Sequence, residues 1–110
     1  MNTFFSTGNK RSYADFKKQI PSQIQSLFDS LREFCFSLGE NVIEDVRMHR
    51  IVFCKSITFR WFVDIEPEND TVLLKIQRSR KEPQKTIRLN QNENLEQIKE
   101  VLKDAFNTIR

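Results

Sequence analysis

The chain has few of the residues on which catalytic and nucleotide-binding motifs depend. Its 110 residues include 2 glycines and 3 prolines, which excludes a linker-like chain and leaves too little glycine for a phosphate-binding loop. His49 is the only histidine. It lies in a predicted turn beside two arginines, and no G-x-S-x-G motif accompanies it. We therefore expect no catalytic residue and no cofactor.

Cysteines and long apolar runs are also scarce. Cys35 and Cys54 have neither C-x-x-C spacing nor a partner histidine at metal-ligand spacing, so we expect no metal site and no disulfide framework. No apolar run approaches the roughly 18 residues of a membrane span. The first residues also lack the pattern of a secretory signal. These features predict a cytoplasmic protein with reduced thiols and no membrane contact.

Aromatic residues and positive charge are what the chain does contain. Ten phenylalanines and one tryptophan can bury a large area in a small core, and the length is that of one domain. The net charge is +3, but residues 47–88 carry ten bases and five acids. Electrostatic function is therefore expected in that middle segment.

Two amphipathic helices are predicted, one on each side of this segment. The first carries an apolar stripe at intervals of three and four from Ile20 to Leu38, with Pro21 at its start and Gly39 after its end. The second runs from Leu95 to Ile109 after a capping residue, Asn94. Upstream, Ser12 and Asp15 can cap a short helical turn over residues 13–19. We expect residues 1–19 to form a tail or short helical arm and residues 20–110 a single domain.

Alternation of polar and apolar residues predicts five strands between the helices. Two short strands, 42–47 and 50–55, precede a hairpin in which strands 57–65 and 72–77 flank a turn at 67–70, and residues 86–89 form the last strand. Strict alternation places one set of residues of the central strand in the core: Ile57, Phe59, Trp61, Val63 and Ile65. The other set faces away: Thr58, Arg60, Phe62 and Asp64.

The predicted fold class is α+β. Short connections between consecutive strands favour an antiparallel five-stranded meander, covered on one face by the N-terminal and C-terminal helices in the order α-β-β-β-β-β-α. This arrangement is a two-layer sandwich. One face of its sheet is left open.

Residues 24–78 resemble an uncharacterised domain found at the C-terminus of so-called predicted transport proteins and of restriction-associated proteins. The resemblance rests on a helix that ends at a glycine (IQSLFDSLREFCFSLGENV), then V-x-x-x-V from Val42 to Val46 and I-x-F from Ile51 to Phe53. An aromatic strand that ends in Ile-x-Pro (Ile65 to Pro67) and L-x-I (Leu74 to Ile76) complete it. The resemblance implies the fold and a terminal helix after the strands, and it implies no catalytic residue.

The open sheet face is the predicted functional surface. Apolar contact is expected from Phe62 and Leu73, with Arg60, Lys75 and Arg88 around them for charge complementarity. We expect a non-catalytic module that binds an unknown protein partner or forms a homodimer. The alternative is nucleic-acid binding, with phosphates on the bases and a nucleobase stacked on Phe62.

The same strands carry part of the metal-binding pattern of restriction-type nucleases. Restriction-type nucleases hold Mg²⁺ with an acid on one strand and an acid-x-Lys on the next. Asp64 and Lys75 occupy two of these positions, but Leu73 stands where the second acid is required. The acidic group around the hairpin turn (Asp64, Glu66, Glu68 and Asp70) is likewise interpreted as a solvated turn. The sequence therefore does not support a nuclease.

Overall fold

The computed structural model describes residues 11–58 and 60–109, in which three helices and one five-stranded sheet form an α+β fold. This confirms the predicted fold class. The helices are α1 (Tyr13–Lys18), α2 (Ser22–Ser37) and α3 (Glu96–Thr108), and the strands are β1 (Ile43–Val46), β2 (Ile51–Cys54), β3 (Trp61–Glu68), β4 (Thr71–Ile76) and β5 (Lys85–Leu89). No helix in these two ranges is long and apolar enough to cross a membrane.

The sheet is an antiparallel meander in the order β1-β2-β3-β4-β5. Each strand pairs with its neighbour in sequence because short turns join them. In the β1–β2 hairpin the Arg47 N–H donates to the Arg50 carbonyl at 2.8 Å, and exposed His49 lies in this loop. In the β3–β4 hairpin Glu68 pairs with Thr71, so the loop contains Asn69 and Asp70 alone. Asn69 has a φ of 58°, a left-handed conformation that asparagine tolerates better than most residues.

The core lies between one face of the sheet and the helices. Buried side chains of α2 and α3 pack on apolar residues of the four strands β2, β3, β4 and β5. On β3 and β4 these residues alternate as expected, with Val63 and Ile65 opposite Ile76 and Leu74. Alternating burial on strands and a buried stripe on each helix explain why the sheet has a single covered face.

The short N-terminal helix belongs to this packed unit. The Ser12 hydroxyl accepts a hydrogen bond from the Asp15 N–H, as the sequence predicts for a helix cap. Phe16 is 4% exposed, and its ring lies 5.5 Å from that of Phe28 on α2. The Tyr13 hydroxyl donates to Asp29 at 2.7 Å. Residues 12–18 are therefore docked onto α2. Of the predicted tail or helical arm over residues 1–19, residues 1–10 lie outside the described residues.

Gly39 follows the end of α2 and lies against Phe106 of α3. A Cβ atom at this position would lie 2.8 Å from the Phe106 ring, closer than carbon atoms approach without strain. The φ angle of Gly39 is not positive. The glycine is therefore explained by the space that the Phe106 ring needs, and not by a left-handed backbone conformation at the end of α2.

A β-bulge in β3 changes which side chains face the core. Phe53 of β2 pairs with Val63, and the next residue, Cys54, pairs with Trp61. Phe62 is thus an extra residue on β3. In such a bulge two neighbouring side chains point to the same side and the alternation shifts by one position.

The prediction that Phe62 lies on the open face is therefore wrong. Phe62 is fully buried, and its ring meets that of Phe106 on α3 edge-on at 5.4 Å. The prediction that Trp61 belongs to the core is wrong for the same reason, because the half-buried Trp61 lies on the opposite face beside Val52 and Asp64. Ile57 is also not a core residue: it is 79% exposed in the connection before β3. Phe59 lies outside the described residues.

Candidate functional site

The open face is the side of the sheet that points away from α1, α2 and α3. Strand pairing assigns its members: Ile43, Asp45, Val52, Cys54, Trp61, Asp64, Glu66, Glu68, Thr71, Leu73, Lys75, Thr86 and Arg88. Two loop residues, Arg47 and Arg50, reach it through ion pairs with Asp45 and Asp64. In the described part of the chain, no helix covers this face.

Three of the five predicted binding residues do lie together on the open face. Leu73 pairs directly with Arg88 across β4 and β5, and Lys75 is two residues along β4. Arg60 is exposed but precedes β3, so it is not part of the sheet. Phe62 is in the core, and Trp61 takes its place as the aromatic residue on this face.

Acids and bases are balanced on the open face. The bases Arg47, Arg50, Lys75 and Arg88 contact the acids Asp45, Asp64, Glu66 and Glu68, respectively. A face made of paired charges has little net potential at distances beyond a few ångströms. The excess of bases in residues 47–88 is therefore not concentrated here.

A shallow cleft of about 240 Å³ lies in the middle of this face. Trp61 and Val52 form its apolar wall. Its polar lining consists of Arg47, Arg50, Asp64, Lys75 and Gln84. The cleft thus contains three cationic side chains and one carboxylate, next to the only tryptophan of the chain.

Asp64 is the buried carboxylate of the cleft. The residue is 7% exposed, and its Oδ1 accepts no hydrogen bond from the described residues. Its Oδ2 lies 3.6 Å from Arg50 Nε. Burial raises the pKa of Asp64, and the neighbouring charges of Arg50 and Lys75 oppose that change. A carboxylate with an unpaired buried oxygen destabilises a folded protein. Its presence makes this cleft the candidate functional site.

The two cations nearest Asp64 are only loosely engaged. Arg50 Nε is 3.6 Å from Asp64, and Lys75 Nζ is 3.6 Å from Glu66, both beyond hydrogen-bond distance. By contrast, the Arg88 Nε donates to Glu68 at 2.7 Å. Among the described residues, the side chains of Arg50 and Lys75 donate no hydrogen bond, and both line the cleft.

Lys75 lies directly opposite Asp64, and Glu66 follows on the same face of β3. Glu66 thereby places a second carboxylate beside Lys75, in a position that the acid-x-Lys pattern does not include. However, Arg50 already places a positive charge against Asp64, where a metal ion would have to bind. In the described ranges, no group of three or more histidine, cysteine or carboxylate residues is arranged to hold a metal ion.

The two thiols lie apart from one another. Cys35 is buried in α2, and Cys54 is half-buried at the end of β2; both are free. Burial raises the pKa of each thiol, so both are protonated near neutral pH. A protonated thiol is a poor nucleophile.

Sequence reasoning missed Trp61 as a site residue because it assumed unbroken alternation. A signal was present: Trp61, Phe62 and Val63 are three consecutive apolar residues, which cannot all share one face of a regular strand. The position of the bulge depends on how Phe62 packs against α3, and that contact is not visible in the sequence of the strand.

Comparison of the chain with protein-family models, with curated proteins and with solved structures finds no match. The resemblance of residues 24–78 to the uncharacterised domain thus stays a prediction.

Proposed function

We propose that this chain is a non-catalytic binding module that docks its open sheet face onto a protein surface, either a partner protein or a second copy. The observation that carries this proposal is the balanced set of charges around Trp61 and Leu73. Protein interfaces favour tryptophan and arginine at their centre and need complementary charges more than a large net charge. Free thiols in both cysteines support a reducing compartment, and we place the protein in the cytoplasm.

The state of the reactive groups on and near the open face supports a non-catalytic role: burial raises the pKa of the Cys54 thiol, which makes it a poor nucleophile. His49 lies in an exposed loop, and Asp64 is held beside Arg50. A general base needs access to a substrate proton and a suitable pKa. At Asp64, the positive charge of Arg50 opposes the rise in pKa that burial causes.

Site-specific photo-crosslinking tests the docking proposal. A photoreactive residue replaces Thr86, which is exposed and lies beside Lys75 on the open face. The matched control replaces Gln97, which is exposed on α3 in the helical layer. We expect nuclease-resistant protein adducts from position 86 and none from position 97. Equal yields at the two positions, or adducts at neither, would contradict the proposal.

Sedimentation velocity separates the two kinds of protein partner. A second copy predicts a dimer that forms with rising concentration and that Leu73→Asp converts to monomer, because the charge enters the centre of the face. A monomer at all concentrations, together with a heterologous adduct from position 86, assigns the face to a different protein.

Nucleic-acid binding is the second candidate, and the position of Trp61 favours it. A half-exposed indole beside the N–H groups of Arg50 and Lys75 could stack on a base while the cations contact phosphate. This candidate predicts that retention of a random single-stranded oligonucleotide falls steeply with salt and is lost in the Arg50→Glu, Lys75→Glu double variant. No retention at low salt would eliminate it.

A further inference from the structure

The cleft beside Trp61 has more hydrogen-bond donors than acceptors. The side chains of Arg50 and Lys75 lack hydrogen bonds to the described residues, and Trp61 and Gln84, which each carry a side-chain N–H donor, are also lining residues. Asp64 is the one carboxylate in the lining. A ligand that enters this cleft binds best if it carries a negative charge and acceptor oxygens, because its charge-assisted hydrogen bonds with Arg50 and Lys75 would be the strongest available there.

The acids around the cleft favour a ligand with a single anionic group. Asp45 lies on the β1 side of the cleft, and Glu66 and Glu68 continue along β3 towards the β3–β4 turn. A phosphate chain that left the cleft in either direction would pass these carboxylates. One isolated anion avoids them, so a polyanion fits the face less well than a single carboxylate.

A ligand in the cleft must also provide a hydrogen-bond partner for Asp64. Its unpaired Oδ1 is buried at a residue that is 7% exposed. When a second carboxylate enters, the two acids can share one proton taken up from solvent: protonated Asp64 donates an O–H hydrogen bond to the incoming oxygen. The neighbouring charged groups are Arg47, Arg50, Lys75 and Glu66, and their sum is positive, which stabilises the one negative charge that the two carboxylates retain.

We propose that the cleft receives one acidic side chain of a partner protein, with the carboxylate on Arg50 and Lys75 and the adjoining apolar part of the partner on Trp61. This rests on the proposed function, protein docking through the open face. The partner is a different protein, because in a two-fold dimer the same face supplies both sides. On this face Asp45 and Glu68 already form close pairs with Arg47 and Arg88 of the same chain.

Trp61 is the only tryptophan, so its indole N–H resonance and its fluorescence report on the cleft alone. The probe is a capped tripeptide with glutamate between two leucines, and its control has glutamine in place of glutamate. We expect saturable shifts at Trp61 and Lys75 with the glutamate peptide, and binding of the glutamine peptide that is at least about tenfold weaker. Equal binding of both peptides, or no shift with either, would overturn the proposal.

Two variants determine the chemistry of recognition. Arg50→Gln with Lys75→Gln should weaken the glutamate peptide at least about tenfold, whereas Lys103→Gln, an exposed change on α3, should not. Asp64→Asn should strengthen binding at neutral pH and remove its pH dependence, because no proton needs to be taken up. Weaker binding of the peptide by Asp64→Asn would contradict proton sharing with Asp64, and tighter binding of a decanucleotide than of the peptide would overturn the proposal.

The outcome for the cleft is independent of the outcome for the whole face. If position 86 forms protein adducts but the glutamate peptide does not bind, the carboxylate inference fails and docking through the open face stands. If neither occurs, the proposed function itself is wrong.

Discussion

The positions of Trp61 and Phe62 permit a direct test of the bulge by paired substitutions. Phe62 is fully buried and meets Phe106 edge-on at 5.4 Å. Phe62→Ala should lower the free energy of unfolding by about 3–5 kcal/mol, the usual range for a buried phenylalanine. The aromatic pair accounts for about 0.5–1.5 kcal/mol of that loss. Trp61 is half-buried on the open face, so Trp61→Ala should lower it by only about 1–2 kcal/mol.

Urea unfolding followed by far-ultraviolet circular dichroism measures both variants, since fluorescence is lost with the only tryptophan. Phe62→Leu is the matched control, because it keeps most of the buried volume and should cost less than about 1.5 kcal/mol. An unbroken strand would bury Trp61 and expose Phe62. The opposite order of effects, with Trp61→Ala the more damaging change, would refute the bulge and the open-face assignment together.

Three further changes test other parts of the fold by urea unfolding. Asp64→Asn should stabilise the protein at pH 7 by about 1 kcal/mol, because the neutral amide avoids the cost of burying a charge, of which the half-exposed Arg50 offsets less than about 1 kcal/mol. Because burial raises the pKa of Asp64, native Asp64 binds its proton more readily than unfolded Asp64. Wild-type stability therefore rises as pH falls through the raised pKa, and the difference between the two proteins closes by about pH 3; a difference that persists there contradicts the assignment. Gly39→Ala should destabilise by about 1–3 kcal/mol through its contact with Phe106, and unchanged stability would show that the ring moves freely. Phe16→Ala should cost about 3–5 kcal/mol; a negligible effect would mean that α1 is not docked.

Much of the fold is predictable from the sequence because it depends on local patterns. The stripe on α2, the Ser12 cap and the polar turn before β4 each need only neighbouring residues, and each is observed. The central strand shows the limit. It begins at Trp61 and not at the predicted Ile57, and its single extra residue reverses the faces assigned to Trp61 and Phe62.

The candidate site was predicted in part. Leu73, Lys75 and Arg88 follow from alternation on β4 and β5, which are regular strands. The cleft could not be predicted, because it brings together a loop arginine, the central strand and the connection before β5. Such contacts depend on how the sheet twists and on which side chains fill the helical layer.

By itself, the sequence determined the order of elements, the single covered face of the sheet and the lack of a recognisable catalytic motif. These properties follow from periodicity and composition. Only the tertiary structure decided that Phe62 fills the space beneath Phe106 and that Trp61 lies beside Asp64 on the open face. The physical reason is that a bulge is stabilised by packing between the sheet and α3, residues that are more than forty positions apart in the chain.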